Sequence, residues 1–329
     1  MAKLTLSGLK SFVATYVALA SQAGAWSATT NNTIGLLDKI GKTITIDGDF
    51  NDKLPEFNGD DLPLGKTIEE YFIDLTLPEA FDSTGANTLA PHTPTVEAVA
   101  YSYTLGRKVI PTTQRYNDVE RASLTSEGAS NIITKIMERL YNSQSLYEYT
   151  CKKQLLGNAI IKAIGATNSA NLITSIAIPT DSSTGEAFLK AVKQNIEDAS
   201  FASEGNNLGN YLIGKAPKLN LYFQKKVMPS LEVDTFAGAF NKEDLALPTT
   251  IKVLDDFGSI TYQSGGSTVD DSANFYGALI DIRGIKLHNT YRAVRNQENA
   301  EGDFINFFYH TEFTGFISKS TYMHFYKKA

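Results

Sequence analysis

Near the N-terminus, Leu9, Phe12, Val13, Tyr16 and Val17 fall on one face at helical spacing, which predicts a short amphipathic helix. From Gly24 to about residue 60 the chain turns to Gly, Asn, Thr and Asp and reads as an extended arm. Its alternating piece Thr43-Ile44-Thr45-Ile46 is suited to pairing with a sheet edge, including one on another molecule. Leu64–Leu75 and Val96–Ile110 are β-rich, and Pro78, Gly85, Pro91 and Pro94 mark the segment between them as an irregular tip. Together they predict a long hairpin. The period then becomes helical from about Ser130 to Ile164, through Ile133, Met137, Leu140, Tyr147, Cys151, Leu155 and Ile160, with Ser126 or Ser130 suited to cap the start. Nothing breaks that run before Gly157.

A second helix is expected after Thr184, with Phe188, Leu189, Val192 and Ile196 on one side. Strands follow at Lys218–Gln224 and Thr250–Leu254, with a short helix between them from Pro229 to Phe240. The turn Gly265-Gly266 opens a nearly all-β end, Phe275–Val294 and Phe304–Tyr326, divided by the polar turn Asn296–Asp303. No internal repeat, heptad array or low-complexity block interrupts this order.

Composition narrows the functions open to such a chain. The 329 residues carry 30 Lys+Arg against 36 Asp+Glu, a formal net charge of −6. Binding to phosphate backbones runs on clustered cations, so an acidic total argues against a basic nucleic-acid reader. The C-terminal strands do gather Arg283, Lys286, Arg292, Arg295, Lys319, Lys327 and Lys328, but Asp281, Glu298, Glu301, Asp303 and Glu312 offset them. Hydrophobic residues at 42% and charged residues at 20% describe a folded chain. Its length exceeds the roughly 250–300 residues at which a single core stops growing, which predicts two or more sub-domains. No apolar run reaches the roughly 18–20 residues that span a bilayer. Lys3 and Lys10 ahead of Phe12–Ala20, with Ala23-Gly24-Ala25 behind, resemble a secretory signal, but Thr15 and Tyr16 interrupt the run and the helix is the preferred reading.

Catalytic and cofactor motifs are weak throughout. The triplets Gly41-Lys42-Thr43 and Gly65-Lys66-Thr67 lack the earlier glycine of a phosphate loop, since Leu36 and Asp60 stand there. A lone Cys151 excludes an internal disulfide and a cysteine metal cage, and its place on the apolar face of the long helix marks it as a packed thiol. The pattern Gly-x-Ser-x-Gly is absent. His310 and His324 sit in aromatic strands, where packing is the expected role. Asp47, Asp49 and Asp52 alternate like a calcium loop without its full pattern and read as a solvated acidic arm, while Asp255-Asp256 and Asp270-Asp271 read as turn residues. The expectation is a protein that is not an enzyme, with no cofactor or metal.

Several short segments, in order along the chain, carry a resemblance. Asp61-Leu62-Pro63-Leu64-Gly65-Lys66-Thr67-Ile68-Glu69-Glu70 resembles the "PLG-(R/K)-TIEE" segment of the major capsid proteins of phi29-like tailed phages. Tyr141-Asn142-Ser143 with Tyr147-Glu148-Tyr149 is similar to part of that family's long helix. Val233-Asp234, Ala239-Phe240-Asn241, Val253-Leu254-Asp255-Asp256-Phe257, His288-Asn289, Val294-Arg295-Asn296 and Phe307-Phe308-Tyr309-His310 continue the likeness. The first 60 residues match poorly.

The resemblance implies an α+β, HK97-like capsid fold. Its parts would be an N-terminal arm (1–60), an E-loop hairpin (61–115), a P-domain with the long spine helix (116–165), an A-domain (166–278) and C-terminal P-domain strands (279–329). It implies a major capsid protein that assembles with itself into hexamers and pentamers, forming the icosahedral or elongated head of a tailed double-stranded-DNA phage. The expected partners are a portal and scaffolding or decoration proteins, around DNA held without sequence-specific binding and with no membrane. Location would be the virion, with the host cytoplasm during assembly. Some relatives carry an immunoglobulin-like domain after the last strands; this chain stops at Ala329, so that domain's decoration role is not expected. Glu69, Glu70, Arg107 and Lys108, expected at corresponding levels of the hairpin, are the predicted contacts between subunits. The alternatives are an encapsulin-like compartment enclosing enzymes, which shares the architecture, and a secreted bacterial surface or binding protein.

Overall fold

The computed structural model describes residues 50–62, 65–73, 75–76, 78, 81, 83–85, 93–101, 104–116, 126–216, 218–227 and 249–329. The helix expected around Phe12–Val17, the edge strand Thr43–Ile46 and the helix Pro229–Phe240 lie outside them. The described residues divide into two compact units. The first holds 50–51, 108–116, 126–147 and 292–311, and the second holds the rest.

Four long elements, one helix and three strands, run through both sets of residues. Helix α1 (Ser126–Ile164) is the predicted long helix, with 39 residues. Strand β11 (Ile285–Asn299) and strand β12 (Phe304–Ile317) are the long C-terminal strands. The two predicted C-terminal runs therefore each divide: β10 (Phe275–Asp281) precedes β11, and β13 (Met323–Lys328) follows β12. With β1 (Asn58–Asp61) and β4 (Thr104–Arg115), β11 and β12 form a four-stranded sheet in the order β1-β11-β12-β4.

In the first unit, the spacing Met137, Leu140 and Tyr141 lays one stripe of α1 on the alternate residues Ile305, Phe307 and Tyr309 of β12. Tyr141 meets Tyr309 edge-on at 5.9 Å. The hydroxyl of Tyr116 donates to Glu298 Oε1 at 2.7 Å, so the strand ends are fixed by polar contacts as well.

The second unit is built on a five-stranded mixed sheet in the order β5-β13-β10-β6-β7, where β5 is Ile173–Ile176, β6 is Leu219–Gln224 and β7 is Thr250–Leu254. Its central strand β10 is buried at every position, which explains a nearly continuous apolar run where one covered face would give alternation. After a one-turn helix α2 (Ser169–Leu172), helix α3 (Ser182–Asp198) covers this sheet. Phe188, Leu189 and Val192 of α3 pack on Leu221, Phe223, Tyr276, Leu279 and Tyr326. The helix starts ahead of the predicted Thr184 because Asp181 caps it: Thr184 N–H donates to Asp181 Oδ1 at 2.8 Å and the Thr184 hydroxyl accepts from Asp181 N–H. Strands β8 (Thr261–Ser264) and β9 (Ser267–Asp270) are joined by Gly265 and Gly266, both at positive φ, as a two-residue hairpin turn requires.

Within this unit α1 is fastened by charges that the sequence reading placed elsewhere. Lys152 is fully buried and pairs with Asp52 and with Glu148, the latter at 3.2 Å. Asp52 is thus part of an ion pair with a buried lysine, not of a solvated acidic arm, because the Lys152 ammonium, cut off from water, draws on both carboxylates for compensation of its charge. Lys153 Nζ reaches Asp255 at 2.7 Å and Asp256 at 2.8 Å, and Tyr149 OH donates to Asp255 Oδ1 at 2.6 Å. Despite burial, the donors from Lys153 and Tyr149 hold the Asp255 carboxyl down at about 2. These carboxylates, like Asp271, which accepts from Lys327 and Tyr262, hold segments together and are more than turn residues. Gly157 lies where a Cβ would stand 2.9 Å from the carbonyl oxygen of Phe257 and 3.0 Å from that of Ser259. The helix keeps a glycine at that point because the 257–259 backbone crosses it. Cys151 is buried, as its place on the helix required. His324 is buried as well, with Nε2 2.9 Å from Thr174 Oγ1, and burial lowers its pKa to about 4. Among the described residues no helix is long and apolar enough to cross a membrane, and no cluster of His, Cys, Asp and Glu could hold a metal ion.

Candidate functional site

Strand β2 (Ile68–Ile73) pairs antiparallel with β3 (Val96–Tyr101), from Ile68 opposite Tyr101 to Ile73 opposite Val96. The strand period of two sends Ile68, Glu70 and Phe72 to one face and Glu69, Tyr71 and Ile73 to the other. Burial follows this division: the first three are half-buried and the second three exposed.

The half-buried face is anchored to its own chain. Glu70 Oε1 accepts from the hydroxyls of Ser318 and Ser320, both at 2.5 Å. Its Oε2 accepts from Tyr101 OH at 2.5 Å and from Lys319 N–H at 3.2 Å. Burial works to raise the Glu70 carboxyl, but these four donors outweigh it and hold it below its ordinary value. Phe72 stacks on Tyr211 with ring centroids 4.1 Å apart. Tyr211 is itself fixed by Asn207, whose amide donates to Tyr211 O and accepts from Tyr211 N–H. Gly209 N–H donates to Lys319 O, so the two anchor points of the hairpin are joined to each other.

The opposite face is apolar and open. Tyr71 is 63% exposed, and Ile73 and Val96 are each more than half exposed; Leu75 and Phe81, beyond the paired strands, are exposed as well. Tyr71 OH donates to Glu69 Oε2 at 2.8 Å, so the single carboxylate of this face lies beside its largest ring. Isolated exposed apolar side chains are ordinary, but Tyr71, Ile73 and Val96 share one face of one hairpin, and such a patch marks an interaction surface.

Two of the four predicted contact residues do not stand where the sequence placed them. The second β-rich stretch divides into β3 and β4, so Arg107 and Lys108 belong to a strand of the four-stranded sheet. The residues opposite Glu69 and Glu70 are Ala100 and Val99. Arg107 is engaged within its chain: its guanidinium lies 3.9 Å over the Tyr291 ring and its Nε is 3.4 Å from Glu312 Oε2. Lys66 also pairs with the buried Glu312, and this hydrogen bond leads the effects that lower the Glu312 carboxyl. Lys108 is exposed and falls in the first unit. Glu69 is exposed on the open hairpin face, whereas Glu70 serves its own fold.

Sequence reasoning attended to the charges and passed over Tyr71, Ile73, Ser318, Ser320 and Tyr211. A usable sign was present for the first two, since Tyr71-Phe72-Ile73 puts large apolar groups on both faces of one strand. Nothing local links residue 70 to residues 318–320.

Comparison with known proteins adds three findings. The family model described as Phi29-like phage major capsid protein matches residues 10–325. The major capsid protein of Bacillus phage PZA is 24% identical over 293 residues, which is 87% of this chain and 60% of that protein, and the major capsid protein of Bacillus phage B103 is 22% identical over 284 residues, 84% of this chain and 58% of that protein. The chain thus spans about three fifths of the length of these relatives. Among solved structures, the capsid of Staphylococcus phage Andhra matches with a TM-score of 0.68 at 14% identity, covering 88% of this chain and 87% of that one. The mature capsid of bacteriophage PhiM1 matches with a TM-score of 0.57 at 12% identity, covering 88% and 90%. The fold is the α+β, HK97-like capsid fold.

Proposed function

The chain belongs to the Phi29-like phage major capsid protein family, and from that premise we propose that it is the subunit of a closed shell, built from hexamers and pentamers, that encloses the double-stranded DNA of a tailed phage. The observation that carries the assembly step is the hairpin with one face anchored and the other left apolar and exposed. An anchored hairpin projects its open face in a fixed direction, so its burial on a neighbour loses little conformational entropy. Fully burying a side chain of this size is worth about 1.5–3 kcal/mol. Tyr71, Ile73 and Val96 are already partly covered, so together they contribute about 3–4 kcal/mol of gross stabilisation per contact. Repeated around a ring and across a shell, a modest contact of this kind is sufficient, because every copy makes it twice: once as donor and once as acceptor.

In this reading residues 61–115 hold the E-loop, α1 is the spine helix, 166–278 form the A-domain and 279–329 return to the P-domain, with 1–60 as an arm. The wall needs no affinity for DNA, which agrees with the net charge of −6. Portal, scaffolding and decoration proteins are its expected partners, with assembly in the host cytoplasm and the finished protein in the virion. The match to a phage capsid family favours this over an enzyme-enclosing compartment or a secreted surface protein. Negative-stain electron microscopy of the purified full chain, with its mass in solution, tests the proposal. Closed shells or rings of five and six copies are expected; a monodisperse monomer that persists with a scaffolding partner and a crowding agent present would overturn it.

A further inference from the structure

The second unit carries a groove of about 380 Å³ between β3, the last turns of α1 and the end of β12. Clefts of roughly 300–1,000 Å³ with mostly apolar linings are the usual sites of small ligands. Leu155, Ile161, Ile317 and the ring of Tyr101 supply the apolar walls here. The Tyr101 hydroxyl is spent on Glu70 and on Lys319 N–H, so it brings no free polar group to the groove. Two polar side chains remain, Asn158 and Lys162, one turn apart on the same face of α1. Gln154 orients the first of them. Its amide is held by both backbone groups of Ser259, with Nε2 donating to Ser259 O at 3.1 Å and Oε1 accepting from Ser259 N–H at 3.2 Å. The same Nε2 donates to Asn158 Oδ1 at 3.2 Å, which leaves the NH2 of Asn158 as a donor with no partner among the described residues. Lys162 is the only charged residue of the lining, and no carboxylate among the described residues pairs with it. Its ammonium stands 6.0 Å from the centroid of the Tyr101 ring. Burial, and then the charge of Lys319, lower its pKa, as befits a cation without a counter-charge.

A ligand that suits these walls is mostly apolar, and one that suits these donors ends in a negative group with acceptor oxygens. A carboxylate on a hydrocarbon tail meets both conditions, because its two oxygens accept from an ammonium and an amide NH2 together. An alkylammonium would meet Lys162 with like charge, and an alcohol would leave the cation without a counter-charge. A peptide segment would bring several amide groups, for which two polar side chains are too few partners. We propose that the groove binds a small monocarboxylate with an aliphatic tail, its oxygens on Lys162 and Asn158 and its tail against Leu155, Ile161 and Ile317. The assignment stands apart from the shell reading, since every residue of the site belongs to one compact unit of a single chain.

Isothermal titration of the full chain with sodium octanoate tests it, with 1-octanol, octylammonium chloride and sodium acetate as comparisons. One equivalent of octanoate is expected to bind saturably, at least tenfold more tightly than the same tail with no charge or the opposite charge, and than the charge with no tail. No saturable binding of octanoate, or octylammonium bound as tightly, would overturn the proposal. Two variants locate the site. Lys162→Met keeps the length of the stem and removes the charge, so it is expected to weaken octanoate at least tenfold and to leave 1-octanol within twofold. Ala100→Phe, at an exposed strand position that lines the groove, is expected to weaken octanoate and 1-octanol alike by filling the space for the tail. Octanoate bound with unchanged affinity by either variant would overturn the assignment.

Discussion

Replacing Glu70 by alanine should loosen the hairpin while leaving the rest of the second unit intact. The carboxylate collects four donors, from Ser318, Ser320, Tyr101 and Lys319. A hydrogen bond to a charged acceptor contributes about 1.5–3 kcal/mol when buried. Glu70 is only half-buried, so water replaces part of each bond and the sum is screened. The two serine hydroxyls can turn to water, whereas the Lys319 N–H and the buried Tyr101 hydroxyl have less freedom, which leaves a net loss of about 2–3 kcal/mol. Glu70→Gln should cost less than half of that. Its amide oxygen still accepts from Lys319 and Tyr101, and its NH2 can donate to hydroxyls that rotate to accept. The pH dependence has a definite sign. The folded Glu70 carboxyl lies below its ordinary 4.5, so its contribution is complete above that value and is lost as pH falls through the lower, folded value. Urea unfolding of the monomer at pH 7 and pH 3, with amide exchange read at residues 68–73 and 96–101, measures both effects. An alanine variant within about 0.3 kcal/mol of the parent at pH 7, or a difference undiminished at pH 3, would refute the reasoning. The same geometry makes Glu70→Lys a poor probe of assembly, since it destabilises its own subunit. Glu69→Lys tests the contact without that complication.

Other consequences follow from the buried charges and the crowded helix. Asp52→Ala leaves the buried Lys152 with Glu148 alone and should cost about 2–4 kcal/mol in urea unfolding, and Lys152→Met, which takes the shared cation from both Asp52 and Glu148, should cost about 3–5 kcal/mol; a neutral Lys152→Met would contradict the desolvation argument. Gly157→Ala gains helix propensity of about 1 kcal/mol but drives a methyl group onto two carbonyl oxygens, for a net loss of about 1–2 kcal/mol; a raised thermal midpoint would show that the 257–259 backbone yields. His324 has a folded pKa of about 4 against an ordinary 6.5, so stability is highest above pH 6.5 and declines as pH falls from there toward 4. His324→Gln should flatten that slope, and a histidine signal for this residue titrating near 6.5 by NMR would remove its cause.

Much of this protein is legible in local sequence, and the reason is that periodicity and turn chemistry are local properties. The stripe of Met137, Leu140, Cys151 and Leu155 is sufficient to specify one long helix, and Thr250–Leu254 and Gly265-Gly266 specify a strand and a turn with no reference to the rest of the chain. Segments such as the one from Asp61 to Glu70 also carried the family and, through it, the fold. Tertiary structure decided which charges are structural. Asp52, Asp255 and Glu70 look like ordinary surface carboxylates until Lys152, Lys153 and Ser318, each far away in sequence, are brought to them. It also decided that Arg107 and Lys108 leave the hairpin for another sheet, because a chain can change sheets without any change in its β-rich pattern. The open face of Tyr71 and Ile73 emerged for the same reason. A period of two assigns side chains to two faces, but only packing against Tyr211 and the 318–320 corner determines which face the fold covers and which it leaves for a neighbour.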